Sequence, residues 1–255
     1  MINSPLIFAF LFFVGSVSGW CIEVVYRRFF SRANPERKWI NPGFLAGPYL
    51  PLYGFSLCIL YVLSYIKLPF VESELLERIL LFIIMALCIT VIEFVAGEIF
   101  IHRMKIKLWD YDNEWGNIKG IICPKYSFFW AVLSAIYYFL IHPHIQKSII
   151  WLSETLTFSF FIGFFFGMFA LDFWYSMNML GRIKKFANEY EVIVRYELLK
   201  DAIRAKNEEL KEKQKFLFAF KSETMSLAEH FKNYIDREQN KFYEAKKNFE
   251  DKYIK

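Results

Sequence analysis

An all-α integral membrane protein with five transmembrane helices and a helical cytoplasmic tail is the fold that this 255-residue chain predicts. Three observations carry that expectation. Hydrophobic residues make up 56% of the chain, with 30 Phe and a mean hydropathy of +0.26. That is more apolar than a water-facing surface tolerates unless lipid covers much of it. Charge is also unevenly placed: residues 1–181 hold 13 Lys+Arg and 12 Asp+Glu, and residues 182–255 hold 18 and 14. Finally, apolar stretches recur at span length. A bilayer core of about 30 Å needs roughly 20 apolar residues per helix, because exposed backbone must be hydrogen-bonded within the segment. A membrane domain over 1–181 and a cytoplasmic tail over 182–255 follow.

The first span covers about 5–26. No Lys or Arg precedes it, so it lacks the basic leader of a cleaved signal. The second covers about 48–66, and its approach is irregular. Pro48 suits a first helical turn, but Pro51 one turn on lacks a donor, and Gly43, Gly47 and Gly54 surround them. Irregular backbone at membrane depth survives where protein buries it or where it lines a wet cavity. A cavity open to the cytoplasm and floored by this loop is therefore expected. The third span, about 79–101, carries Glu93 and Glu98. The fourth covers about 124–143, and the fifth, about 149–175, carries Glu154 and Asp172. Gly15-Ser-Val-Ser-Gly19 is a small-xxx-small face suited to close helix packing, and Gly163-Phe-Phe-Phe-Gly167 is a second, weaker one because its Phe flanks crowd it.

Basic loops set the orientation. Arg27, Arg28, Arg32, Arg37 and Lys38 follow span 1, and Arg103, Lys105, Lys107, Lys119 and Lys125 follow span 3. Arg182, Lys184 and Lys185 follow span 5. The loop after span 2 has only Lys67 and Arg78 beside Glu72, Glu74 and Glu77, and the loop after span 4 has only Lys147. The N-terminus is expected outside, the C-terminus in the cytoplasm, and the protein in the cell membrane.

Spans 1–2 and 3–4 read as a parallel repeat. Ile22-Glu23-Val-Val matches Ile92-Glu93-Phe-Val, and Trp39 and Trp109 each lie sixteen residues after the Glu. Gly43 through Tyr49, Tyr53 and Gly54 lie over Gly120 through Tyr126, Trp130 and Ala131. With this topology the ionisable and aromatic groups gather near the inner leaflet. The candidate substrate-binding residues are Glu23, Glu93, Trp20, Asn41, Tyr49, Tyr53, Trp109, Asp110 and Tyr126, with Glu98 and Asp172 in a second tier. A carboxylate at a helix centre costs about 2.5–3.5 kcal/mol and needs a reason to be there. Pairing with loop cations is the plain alternative, and Glu23 and Arg27 are i,i+4 neighbours.

Cys21, Cys58, Cys88 and Cys123 form no CxxC pair and read as small apolar packing residues. His142-Pro-His144 has no Cys or carboxylate beside it and reads as a polar helix end. No metal, cofactor or catalytic residue is predicted, because no Ser/His/Asp, Cys/His or HExxH constellation is present. An enzyme acting on a lipid head group, with Glu93 or Asp110 as base, is the weakest reading.

After Gly181 there is no further Gly or Pro, so the tail is expected to be helical, most economically as a hairpin or coiled coil. Its apolar stripe runs through Leu217, Phe220, Leu227, Phe231, Tyr234, Phe242, Ala245 and Phe249, and Ser226-Leu-Ala-Glu229 has the capping-box pattern. Such a stripe pairs with itself, a sister subunit or a partner helix, or rests through Phe216–Phe220 on anionic lipid. The net charge of +5 fits an inner-leaflet neighbour, with no nucleic acid required.

Gly19-Trp20-Cys-Ile-Glu23, Asn41 through Gly54, Ile92 through Glu98, Trp109-Asp110-Tyr111 and the Tyr126 segment resemble the bacterial ABC-transporter type IV (CmpB-like permease) family over roughly residues 5–145. In this chain Cys123-Pro-Lys-Tyr126 follows the second Gly-to-Tyr block of that pattern loosely. The resemblance implies a membrane-spanning permease subunit. No GxxxxGK[ST] loop is present, so an ATPase would be a separate chain docking on the basic loops, and a second copy would complete a pathway. The alternative is a membrane-anchored scaffold that recruits a partner through its tail.

Overall fold

A computed structural model describes residues 4–31, 34–69, 71–189, 192–200 and 203. The tail stripe, its capping box and the expected hairpin or coiled coil lie outside these described residues. The chain forms α1 (Ser4–Phe29), α2 (Pro51–Leu63), α3 (Glu74–Ile99), β1 (Ile106–Lys107), α4 (Pro124–Ala135), α5 (His142–Glu154), α6 (Leu156–Glu189) and β2 (Val194–Arg195). α3 continues through a π-helical turn, Phe100–Met104, and a second such turn, Ile136–Ile141, joins α4 to α5. Four helical runs are long and apolar enough to cross a bilayer: Pro5–Phe29, Glu74–Met104, Pro124–Ile145 and Thr157–Glu189. Their outer faces expose large hydrophobics such as Leu87, Phe128, Phe164 and Leu171, as lipid contact requires.

Local chemistry sets the helix ends. Ser73 accepts the amide hydrogen of Leu76 (3.5 Å), and Glu74 and Glu77 sit in the first turn of α3, where the helix dipole favours negative charge. The run from α3 closes at Lys105 in the left-handed conformation (φ 56°), its N–H donating to the Ile101 carbonyl at 3.0 Å. Pro51 and Pro124 each open a helix, where a missing N–H costs nothing.

Three expectations change. The segment 48–66 yields a helix of only 13 residues. At 1.5 Å per residue it is about 20 Å long, shorter than a bilayer core. The irregular approach expected from Pro48 and Pro51 is present, and protein groups satisfy it. Leu50 N–H donates to the Ser16 carbonyl (2.9 Å), and the amides of Ala46 and Gly47 donate to Asp172. The fifth stretch starts later than 149. Ile149 is a buried residue of α5, the helix breaks at Thr155, and Glu154 lies outside α6. Finally, α6 runs through Gly181 to Glu189, and a two-residue strand, Val194–Arg195, interrupts the expected helical tail before helix resumes at 196–200. β2 pairs in parallel with β1, Val194 opposite Ile106 and Arg195 opposite Lys107. The lack of Gly and Pro past Gly181 permits a helix, but it carries no sign of a strand partner almost ninety residues back.

Two clusters hold the molecule together. The central one joins Leu11, Leu60, Met85, Ile89, Trp130, Tyr137, Ile145 and Ile149, drawn from α1 through α5. The other packs Ile106, Leu180, Ile183, Ala187, Val194, Tyr196 and Leu199 at the end where α1 and α3 finish, which we call the basic end. α1 and α2 approach closely at Gly15, Gly19 and Gly54: a Cβ on Gly19 would overlap the root of the Tyr53 ring. α6 lies on α1 through Phe contacts, with Phe13 and Phe165 ring centroids 4.7 Å apart. Gly163 and Gly167, by contrast, face open space.

Candidate functional site at the basic end

Glu23 and Glu93 each lie six residues before the end of their helices, α1 and α3. Glu23 accepts from Arg27 (3.0 Å) and from the Tyr53 hydroxyl of α2 (3.3 Å). Tyr53 packs on Trp130 of α4, with centroids 4.7 Å apart, and Trp130 lies beside the Glu93 carboxyl. Glu93 is 3% exposed. Its Oε1 accepts from the Tyr111 hydroxyl at 3.2 Å, while its buried Oε2 has no hydrogen-bond partner. Tyr111 stacks on Tyr126 at 4.2 Å, and the Tyr126 hydroxyl meets that of Tyr26 at 3.2 Å. Burial, with the nearby carboxylates, pushes the Tyr111 phenol well above its ordinary range, so it stays a donor. Glu23, Tyr53, Glu93 and Tyr126 therefore join one acidic, aromatic layer linking α1–α2 to α3–α4.

Other candidates take separate duties. Asp172 of α6 organises the 41–50 loop, accepting from Ala46 N (3.1 Å), Gly47 N (2.8 Å), the Tyr49 hydroxyl (2.6 Å) and Ser176 (3.0 Å). Trp20 donates to Asn41 Oδ1 at 2.6 Å, and the Asn41 amide donates to the carbonyls of Leu45 and Ala46. Trp109 donates to the Ile121 carbonyl at 2.8 Å, closing the 109–121 loop. Glu98 is paired with Lys119 (3.0 Å) and His102 (2.8 Å). Glu98 thus follows the plain ion-pair alternative rather than joining the layer.

Asp110 belongs to a further cluster. It meets Lys107 at 2.7 Å and Arg195 at 3.2 Å, and Asp112 meets the same two cations at 2.9 and 3.2 Å. These pairs tie β1 to β2. Residues 192–200 form a strap across the basic end. Val194 N–H donates to the Lys105 carbonyl (3.0 Å), Glu197 pairs with Arg27 (2.5 Å), and Lys200 donates to the carbonyls of Asn41 (2.5 Å) and Gly43 (3.2 Å). Arg27 is therefore shared between Glu23 and Glu197. A cavity of about 30 Å³ lies under the strap, lined by Arg27, Asn34, Gly43, Glu197 and Lys200 among others, and by none of the candidate residues. Tyr196 beside it is pushed up to about 12 by burial. Sequence reasoning missed Glu197, Arg195 and Lys200, because they sit in a charge-rich stretch where nothing marks three residues out.

Burial opposes ionisation of Asp110, but hydrogen bonds from Lys107 and from the Asp112 amide outweigh it and hold the carboxyl below its ordinary value. A carboxyl depressed in the folded state stabilises above its unfolded value and loses that contribution as pH falls through the folded one. Strap protection should hold from pH 7 down to about 4 and weaken below. Hydrogen exchange at the Val194 amide, corrected for intrinsic rates, checks this, and Asp110→Asn should remove the acid-dependent part.

Four long apolar runs, with a polar layer between two hairpins at the basic end, define a multi-pass helical membrane protein. More particularly, the chain belongs to the family described as Putative ABC-transporter type IV, whose model matches residues 10–177. The match covers both hairpins and α6 as far as Met177, so it takes in the Glu23 and Glu93 layer and Asp172. No curated protein and no solved structure matches the chain.

Proposed function

We propose that the chain is the permease-like subunit of a transporter, acting with an ATPase carried on a separate chain. In this reading the layer from Glu23 through Tyr53 and Trp130 to Glu93 receives the solute when the hairpins part. The observation that carries it is the buried Glu93 carboxyl with one oxygen unpartnered, a polar group kept at membrane depth at a cost. The hairpins α1–α2 and α3–α4 are two copies of one unit, and the match of Tyr53 and Trp130 in this layer supports that. The basic end faces the cytoplasm, with the N-terminus outside, by the distribution of Lys and Arg. Five crossings then require α2 to traverse with its irregular approach. The loops after α1 and α3 dock the ATPase, and a second copy completes the pathway.

Purification in gentle detergent tests the proposal, comparing wild type, the Glu23→Gln/Glu93→Gln double variant and a chain ending at residue 203. Ending there spares the strap, which removal of 182–255 would destroy. All three forms should recover an ATPase, and only the double variant should lose ATPase stimulation in vesicles. Recovery of a partner without ATPase activity, lost only with the tail, would favour the scaffold reading. One observation supports that reading: the strap fastens the root of the tail to α1 and β1.

A further inference from the structure

We propose that the Glu93 side chain is held as the neutral acid, making it a proton-binding site at the junction of the two hairpins. Its surroundings have been filled with everything except a counter-charge. From α1 it faces Glu23, a like charge whose partner Arg27 is engaged at 3.0 Å by Glu23 and at 2.5 Å by Glu197. From α2 comes the Tyr53 phenol, from α4 the Trp130 indole, a neutral donor directed at the carboxyl, and from the 105–123 connection the Tyr111 hydroxyl, a second neutral donor. Among the described residues no cation pairs with Glu93. An ionised carboxylate there would be desolvated and met only by the neutral donors Tyr111 and Trp130, with Oε2 in hydrogen-bond geometry with no described group, which is an expensive way to bury a charge. Placing the hydrogen on the carboxyl removes the charge and leaves Oε1 to accept from Tyr111.

The tightness of the layer selects the ligand. Tyr111 and Tyr126 stack at 4.2 Å and Tyr53 and Trp130 lie 4.7 Å apart, so an organic cation has no room without separating the hairpins. Among the described residues no group of three His, Cys, Asp or Glu stands ready for a metal ion. A proton needs neither volume nor a ligand set. The inference concerns the same layer as the transport reading but does not require transport. The measurement below is made on the purified chain, so its failure leaves the ATPase experiment standing, and the reverse.

Infrared difference spectra of the full chain in vesicles at neutral pH, wild type against Glu93→Gln, test it. The expected difference is loss of a protonated-carboxyl C=O stretch that shifts in D2O, with no loss of carboxylate bands. Tyr111→Phe, which keeps Glu93, should move that stretch to higher frequency by removing its hydrogen-bond donor. Glu98→Gln should instead remove carboxylate bands, since Glu98 is ion-paired. Glu93→Gln should unfold at no lower temperature than wild type, because a neutral amide replaces a neutral acid. Loss of carboxylate bands in Glu93→Gln, or a stretch unmoved by Tyr111→Phe, would overturn the proposal.

Discussion

Replacing Gly19 with valine should split the α1–α2 hairpin, whereas the same change at Gly163 should leave the fold intact. The Cβ of any residue at 19 falls on the Cβ, Cγ and Cδ1 of Tyr53, the root of the ring rather than a movable tip, so Tyr53 must leave. Overpacking alone costs about 1–3 kcal/mol. Displacing Tyr53 also breaks its bond to Glu23 (3.3 Å) and its contact with Trp130. A Cβ at Gly163 meets nothing within 4 Å. A change there should stay within about 0.5 kcal/mol of wild type, as at other open surface positions. Thermal unfolding in one detergent, followed by Trp fluorescence, separates the two. Equal melting temperatures for the two variants would mean that α1 and α2 do not pack at Gly19.

Val194→Asp should release the strap. Val194 is fully buried against Ile106 and Leu180, and its amide holds the Lys105 carbonyl. A carboxylate in that position has no partner, and an uncompensated buried charge costs about 3–5 kcal/mol. At about 1.4 kcal/mol per decade, tryptic cleavage between Lys184 and Lys200 should accelerate roughly a hundred- to several-thousandfold. Leu198→Asp, at a half-exposed site in the same segment, should leave the rate near that of wild type. With the strap gone, Arg27 keeps only Glu23, so the variant also reports whether the root of the tail is coupled to the polar layer.

The residues of the layer were legible where chemistry made them conspicuous. Glu23 and Glu93 stand out because carboxylates inside apolar runs are costly, and the matching Trp, Gly and Tyr spacings pointed to their surroundings. Asp172 was found for the same reason, but not its task. Nothing in the sequence connects a carboxylate in α6 to the amides of Ala46 and Gly47, which lie 126 and 125 residues away. The Gly163–Gly167 face is the weaker of the two in sequence because Phe flanks crowd it, and among the described residues only the Gly15–Gly19 face is packed against another helix. A motif states what a face permits, and the neighbour decides whether it is used.

Apolar length and the need to satisfy backbone within a segment leave few outcomes other than a multi-pass helical membrane protein, so that much is written in the residues. So are which acids are anomalous and which loops are basic. That α2 is short, that a strand forms at Val194–Arg195 before the helix at 196–200, and that Arg27 is divided between Glu23 and Glu197 are tertiary outcomes. Those outcomes depend on pairing between distant segments, whose energies come from geometry that local composition does not encode.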